Sequence, residues 1–268
     1  MRLTVFIIMV ALAVSASALE LKGTLQQGAM VIGKVAPDAK VIFDGVPVKV
    51  SEDGVFVLGF GRDAALHSTL VVEAADGSRQ QTTLTIAKRE YAIQRIEGIA
   101  KTIMSPNQAN IDRSREEAAQ VRRARARVSD RMDFAGEFQW PLIGPITGVY
   151  GSQRIYNGVP KRPHFGVDMA APTGTPITTP APGTVTLAHP DMFFSGGTLI
   201  IDHGHGVSST LIHLSKVLVK EGDEVVPGDI VAEVGAGGRA TGPHLDWRMN
   251  WFKARIDPQL LVPPMPAQ

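Results

Sequence analysis

A chain of 268 residues with 27 basic and 26 acidic side chains carries a formal net charge of +1, so no global field directs it to nucleic acid or to an anionic membrane surface. Its length suits two modest domains, each able to bury a core. No cysteine is present, which excludes disulfides, thiolate metal sites, a cysteine nucleophile and a lipidated N-terminal cysteine; any metal must be held by His, Asp or Glu.

Residues 1–18 have the three parts of an export signal: Met1-Arg2, the apolar run from Leu3 to Val14, and Ala16-Ser17-Ala18, with cleavage predicted after Ala18. The apolar run is about a dozen residues, short of the roughly 20 that span a bilayer as a helix. An exported chain with no stable membrane anchor after cleavage is expected.

Residues 19–100 are rich in Val, Ile, Leu and Phe and are punctuated by Pro37-Asp38, Asp44-Gly45, Asp53-Gly54 and Asp76-Gly77. Such spacing predicts short antiparallel strands, and the alternation of Val46, Val48, Val50 and of Val55, Val57 predicts that each buries one face of a small β-sandwich. His67 is alone here and is given no role.

Residues 101–136 lose that punctuation, and the Ala-, Arg- and Glu-rich stretch from Asn107 to Met132, preceded by Ser105-Pro106, predicts a connecting helix. Its seven arginines from Arg113 to Arg131 suggest a grip on an anionic polymer, but Asp112, Glu116, Glu117 and Asp130 are interleaved with them. A solvated connector is the better reading. Residues 137–260 return to β patterning with frequent Gly and Pro turns, and residues 261–268, containing Pro263, Pro264 and Pro266, are expected to be a loose tail. The fold class is thus mainly β: an N-terminal sandwich, a helix, and a C-terminal antiparallel β domain.

Six of the seven histidines fall between 164 and 244. His164 and Asp168 are four apart, about 13 Å along a straight strand, so a common ligand needs a bend that Gly166 can supply. His244 and Asp246 are two apart and face one side of a strand, roughly 7 Å from each other. His213 sits in an apolar strand, where a buried structural histidine is the default. The stretch Asp202-His203-Gly204-His205-Gly206 reads as a hairpin turn despite its two histidines, and His189, beside Pro190, likewise.

Together these segments resemble the lysostaphin/LytM-type zinc endopeptidases, whose pattern is H-x-x-x-D, then H-L-S, then G-P-H-L-H. Here they read from Arg162 to Pro176, from Leu211 to Ser215 and from Gly238 to Arg248; Val149 to Arg154 is also similar. The resemblance covers about Phe138 to Pro258 and implies a barrel-sandwich-hybrid-like peptidase domain. It implies zinc ligands His164, Asp168 and, in place of the family's last histidine, Asp246. It implies catalytic roles for His213 and His244, which would orient and deprotonate the attacking water.

A carboxylate is an ordinary zinc ligand, but a second anionic one weakens the metal as a Lewis acid, so a slower reaction or shifted pH optimum is expected. The implied function is hydrolysis of peptide cross-links in bacterial peptidoglycan, in the periplasm or secreted, with no nucleic-acid partner. The alternative is a degenerate domain that scaffolds or activates another cell-wall enzyme. A third reading, a biotinyl- or lipoyl-type carrier, rests on the turns around Val219–Asp229 but lacks the Met-Lys-Met attachment context.

Overall fold

The computed structural model describes residues 19–97 and 107–266; the export signal expected over residues 1–18 lies outside them. The N-terminal strands are β1 (Glu20–Lys22), β2 (Met30–Lys34), β3 (Lys40–Phe43), β4 (Val46–Val48), β5 (Val55–Gly59), β6 (His67–Glu73) and β7 (Arg79–Thr85). They form a three-stranded sheet, β1-β2-β5, and a four-stranded sheet, β4-β3-β6-β7. Val31, Val41, Phe56, Leu58 and Leu70 from both sheets share one core, so the pair is a sandwich. Asp44 and Gly45 both take positive φ, 46° and 80°, the geometry of a tight hairpin turn.

The valine alternation holds only in part: Val48 and Val50 pack on the sandwich core, whereas Val46 and Val57 do not. Val46 lies on the edge strand β4 and is 64% exposed. On β5 it is Phe56 and Leu58 that face the sandwich core, while Val57 joins the core of the second domain. Strand β5 is buried on both faces, because its outer side packs against that domain; a Cβ on Gly59 would meet Trp251 Cβ at 2.6 Å.

Strand β8 (Ile93–Ile96) leaves the sandwich and later receives a parallel partner from the second domain. Helix α1 (Gln108–Arg125) is capped by Asn107, whose side chain accepts the Asn110 N–H, and it ends with Arg122, Arg123 and Arg125 at the negative end of its dipole. It is not a solvated connector. Val121 and Ala124 pack on Leu187, Met192 and Ile200, and buried Glu117 accepts the Phe193 N–H at 2.9 Å and Arg113 Nε at 2.7 Å.

The remaining strands are β9 (Ile146–Gly148), β10 (Gln153–Tyr156), β11 (Val159–Pro160), β12 (Val167–Ala170), β13 (Pro176–Thr178), β14 (Gly183–Met192), β15 (Gly196–Gly204), β16 (Val207–Val217), β17 (Glu224–Val225), β18 (Ile230–Val234), β19 (His244–Trp251) and β20 (Ala254–Ile256). Ten of them form one sheet with the path β17-β14-β15-β16-β19-β12-β9, to which β13, β18 and β20 attach; β10 pairs with β8 on one side and with β11 on the other. The long strands β15 and β16 are buried over nearly their whole length although Thr198, Asp202, Ser208, Ser209 and Thr210 interrupt their apolar residues, and Leu199, Leu211, Met169 and Trp247 meet in one core.

The C-terminal segment expected to be loose is docked over the residues described. Leu261, Val262 and Met265 pack on the core, and Trp140 Nε1–H donates to the Pro263 carbonyl at 2.8 Å. Proline lacks a donor but keeps its acceptor, which is what this contact uses. No helix among the described residues is long and apolar enough to cross a membrane.

Candidate metal centre and catalytic histidines

Strands β12 and β19 are antiparallel neighbours, and their register sets Asp168 directly opposite Asp246. Two carboxylates in that position repel unless cations stand between them. His164 arrives from the segment before β12, held by its N–H on Ser152 O at 2.9 Å and its carbonyl on Gly151 N at 2.8 Å. Its Nε2 lies 3.0 Å from Asp168 Oδ1 and 3.3 Å from Asp246 Oδ2. The turn that replaces the straight-strand separation passes through Gly166, where a Cβ would sit 2.1 Å from Asp246 Oδ1. Glycine is required there for close approach.

His213 reaches the same place by a bulge. On β16 and β15, Leu214 faces Gly197 and Ile212 faces Thr198, which leaves His213 as the extra residue, with φ at 68°. A left-handed conformation is uncommon for a residue other than glycine and re-aims the side chain out of the strand's alternation. His244 opens β19, and its ring centroid is 4.8 Å from that of His213.

All three histidines share a hydrogen-bond arrangement. His164 Nδ1 faces Val149 O at 3.2 Å, His213 Nδ1 faces Gly237 O at 2.7 Å, and His244 Nδ1 faces Gly242 O at 2.8 Å. A carbonyl only accepts, so each Nδ1 carries the hydrogen and each Nε2 is left for the site. His244 Nε2 is 3.9 Å from Asp168 Oδ1.

Each carboxylate also has its own guanidinium. Arg154 Nη2 donates to Asp168 Oδ2 at 2.8 Å, and Arg248 grips Asp246 through Nε and Nη2. Burial pushes the Asp246 carboxyl up, but the charges of Arg248 and His164 outweigh it and hold the group well below the usual carboxylate range. Burial likewise disfavours the His164 cation, yet the Asp246 charge and the close approach of its ring N–H to both carboxylates raise its pKa. For His213 the Asp246 charge offsets burial only in part, and burial depresses it to about 4.

The donor set fits a small divalent cation. One ligand atom each from His164, Asp168 and Asp246 lies within 4.8 Å of the others, and Asp168 Oδ1 is buried without a well-directed hydrogen bond. Imidazole nitrogen with carboxylate oxygen is zinc chemistry. The proton that His164 holds between two carboxylates stands where such a cation would.

The structure thus gathers His164, Asp168, Asp246, His213 and His244 at one end of the β12-β19-β16 face. His205 lies in the turn after β15 and stacks on Phe134, as a turn residue away from the cluster. His203 is at the end of β15 rather than in the turn, fully buried between Pro182 O and Ser209 Oγ. His189 is within β14, not in a turn, because a register shift accommodates Pro190 there. Sequence reasoning missed Arg154 and Arg248. The signal for Arg248 was present: it is two residues from Asp246 on a strand and so shares its face.

The profile described as Peptidase family M23 matches residues 162–258. A crystal structure from Pseudomonas aeruginosa, described as a peptidase M23, matches with a TM-score of 0.70 and 30% identity over 89% of this chain and 95% of its own. Peptidoglycan DD-endopeptidase ShyA of Vibrio cholerae is 38% identical over 110 residues, which are 38% of this chain and 25% of ShyA. DD-carboxypeptidase/endopeptidase Mpg of Neisseria meningitidis is 38% identical over 102 residues, 38% of this chain and 22% of Mpg. The matched part is therefore a quarter or less of these curated relatives.

Proposed function

This chain belongs to peptidase family M23, and on that premise we propose that it is a zinc endopeptidase hydrolysing peptide cross-links of bacterial peptidoglycan. The observation that carries the reading is the convergence of His164, Asp168 and Asp246 beside two further histidines that present Nε2 to the same space. The nature of the relatives, which include peptidoglycan DD-endopeptidases, supports the substrate.

His164 Nε2, Asp168 and Asp246 would hold zinc, which would supply Lewis acidity at the scissile amide and to the water beside it. His213, kept neutral by burial and fixed in one tautomer by Gly237 O, accepts the proton of the attacking water at Nε2. His244, in ring contact with His213, passes that same proton on to the leaving amine, so that both imidazoles end neutral. Arg248 returns the positive charge that the second carboxylate removes, which offsets the weakening expected from Asp246 alone.

Metal content and turnover, measured on the same samples, test the assignment. His164→Ala loses both zinc and hydrolysis of purified peptidoglycan, whereas His213→Asn keeps its zinc and loses hydrolysis by at least about a hundredfold. Zinc-saturated wild type that releases no new peptide ends at any pH rejects the enzyme reading and leaves a scaffold for another cell-wall enzyme.

A further inference from the structure

Beside His164 and His213 opens a cleft of about 700 Å³. Its walls carry Arg115 and Arg122 from α1, Lys161 and Arg162 from the segment before His164, Arg239 from the loop before β19, and Arg255 from β20. None of the lining side chains is acidic. In a chain whose formal net charge is +1, this is a strong local excess of one sign.

The arginines of α1 and of the segment that follows it divide by role. Arg113, Arg127 and Arg131 are engaged with Glu117, Asp202 and Asp133 on the body of the domain. Arg115 and Arg122 face the cleft; the pair Arg115–Asp112 is on the exposed helix surface, and Arg122 forms no ion pair among the described residues. Beneath them Arg125 donates to Thr210 Oγ1, while its Nε is buried without a partner. Burial first, then the charge of Arg248, pushes Arg255 down to about 10, and Arg125 is lowered by burial and by both neighbours. Gathered like charges cost stability unless a ligand of opposite sign repays them.

The shape and surfaces choose among anions. Guanidinium forks match carboxylates two bonds at a time. Phe165 and Phe194 also line the cleft, with Arg239 over the Phe194 ring at 3.9 Å, so apolar faces alternate with the charges. The cleft includes His164 of the candidate metal centre and His213, assigned to amide hydrolysis. A peptide of aliphatic and acidic residues suits that sequence of surfaces better than a uniformly charged phosphate polymer.

We propose that this cleft is a subsite for the free carboxylates of the peptide substrate, and that Arg115, Arg122 and Arg162 make the protein discriminate against amidated peptides. The inference rests on the peptidase reading of the adjoining site.

Two synthetic cross-linked peptides, identical except for free carboxylates in one and carboxamides in the other, test it on the full mature chain. Binding is read by fluorescence anisotropy with chelator present, and cleavage is read separately with zinc. The free acid binds about tenfold tighter or more, and its advantage shrinks as salt rises. Arg115→Gln/Arg122→Gln brings the ratio of the two affinities towards one. Arg123→Gln, on a different hollow of the helix surface beside Arg127 and Glu221, leaves the ratio as it is.

Equal binding of the two peptides by wild type overturns the proposal, as does a double variant with an unchanged ratio. Inorganic polyphosphate that displaces the free-acid peptide at a lower concentration of charge assigns the cleft to phosphate polymers instead. Discrimination in binding with no cleavage of either peptide keeps the subsite and rejects the peptidase; cleavage without discrimination does the reverse.

Discussion

Arg248 Nη2 lies 2.5 Å from Asp246 Oδ2, and Nε of the same guanidinium lies 3.0 Å from Oδ1. The two residues are two apart on β19, so strand geometry alone puts them on one face. Asp246 is almost wholly buried, and Arg248 is about a quarter exposed. Removing the cation leaves a buried carboxylate opposed chiefly by His164. Arg248→Met is expected to destabilise the zinc-free protein by about 2 kcal/mol, below the range for fully buried pairs because Arg248 meets solvent. Zinc replaces the lost charge, so the rise in Tm on adding zinc is larger in the variant than in wild type. Identical melting of the two proteins in chelator contradicts the pairing argument.

Gly166 leaves no room for a methyl group: its Cβ would meet Asp246 Oδ1 at 2.1 Å and Trp247 O at 2.7 Å. Gly166→Ala must therefore move β12 against β19 or turn Asp246 away. Zinc affinity is expected to fall by about 10- to 100-fold, as when the supports of metal ligands are removed, with the far-ultraviolet spectrum preserved. Zinc titration against a competing chelator measures it, and unchanged affinity denies Gly166 its positioning role.

The zinc-free protein is expected to gain stability as pH rises from about 4 to about 6.5. Burial depresses His213 to about 4 and also lowers His203, so in that window the unfolded chain binds more protons than the folded one. Stability then increases with pH. His164, whose pKa is raised, acts in the opposite sense: its contribution is present below its unfolded value and is lost as pH rises through the folded one. Urea unfolding at several pH values in chelator reads the slope. His213→Asn, which tolerates the positive φ, reduces it by up to one proton; an unaltered slope places the titration elsewhere.

Export is expected to leave a mature chain beginning at Leu19, in the periplasm, because the charged, apolar and small-residue segments succeed one another over residues 1–18. N-terminal sequencing of the protein recovered from cell fractions decides this. An intact Met1 on cytoplasmic protein contradicts it.

The sequence by itself determined the β character of both halves and the one long helix among the described residues, whereas His164, Asp168, His213, His244 and Asp246 were singled out by the resemblance of their separated motifs to a known family. The strands and the helix are local facts of residue type, turn chemistry and spacing, and each survives without knowledge of the partners. The turns could be placed because Asp-Gly pairs accept positive φ, as Asp44-Gly45 does.

Tertiary structure alone decided how those residues meet. The register of β12 with β19 opposes Asp168 to Asp246, and a one-residue slip would send one carboxylate to the other face. The bulge that turns His213 inward depends on Gly197 and Thr198 of β15, which no local pattern around residue 213 encodes. Val57 looked like a sandwich core residue because alternation says which positions share a face, never what covers that face; the covering surface is the second domain. The helix looked solvated because its charges are balanced along the chain. Folding sends Arg113, Arg127 and Arg131 to acidic partners and leaves Arg115 and Arg122 on the cleft, a sorting that depends on where α1 lies against β14 and β15.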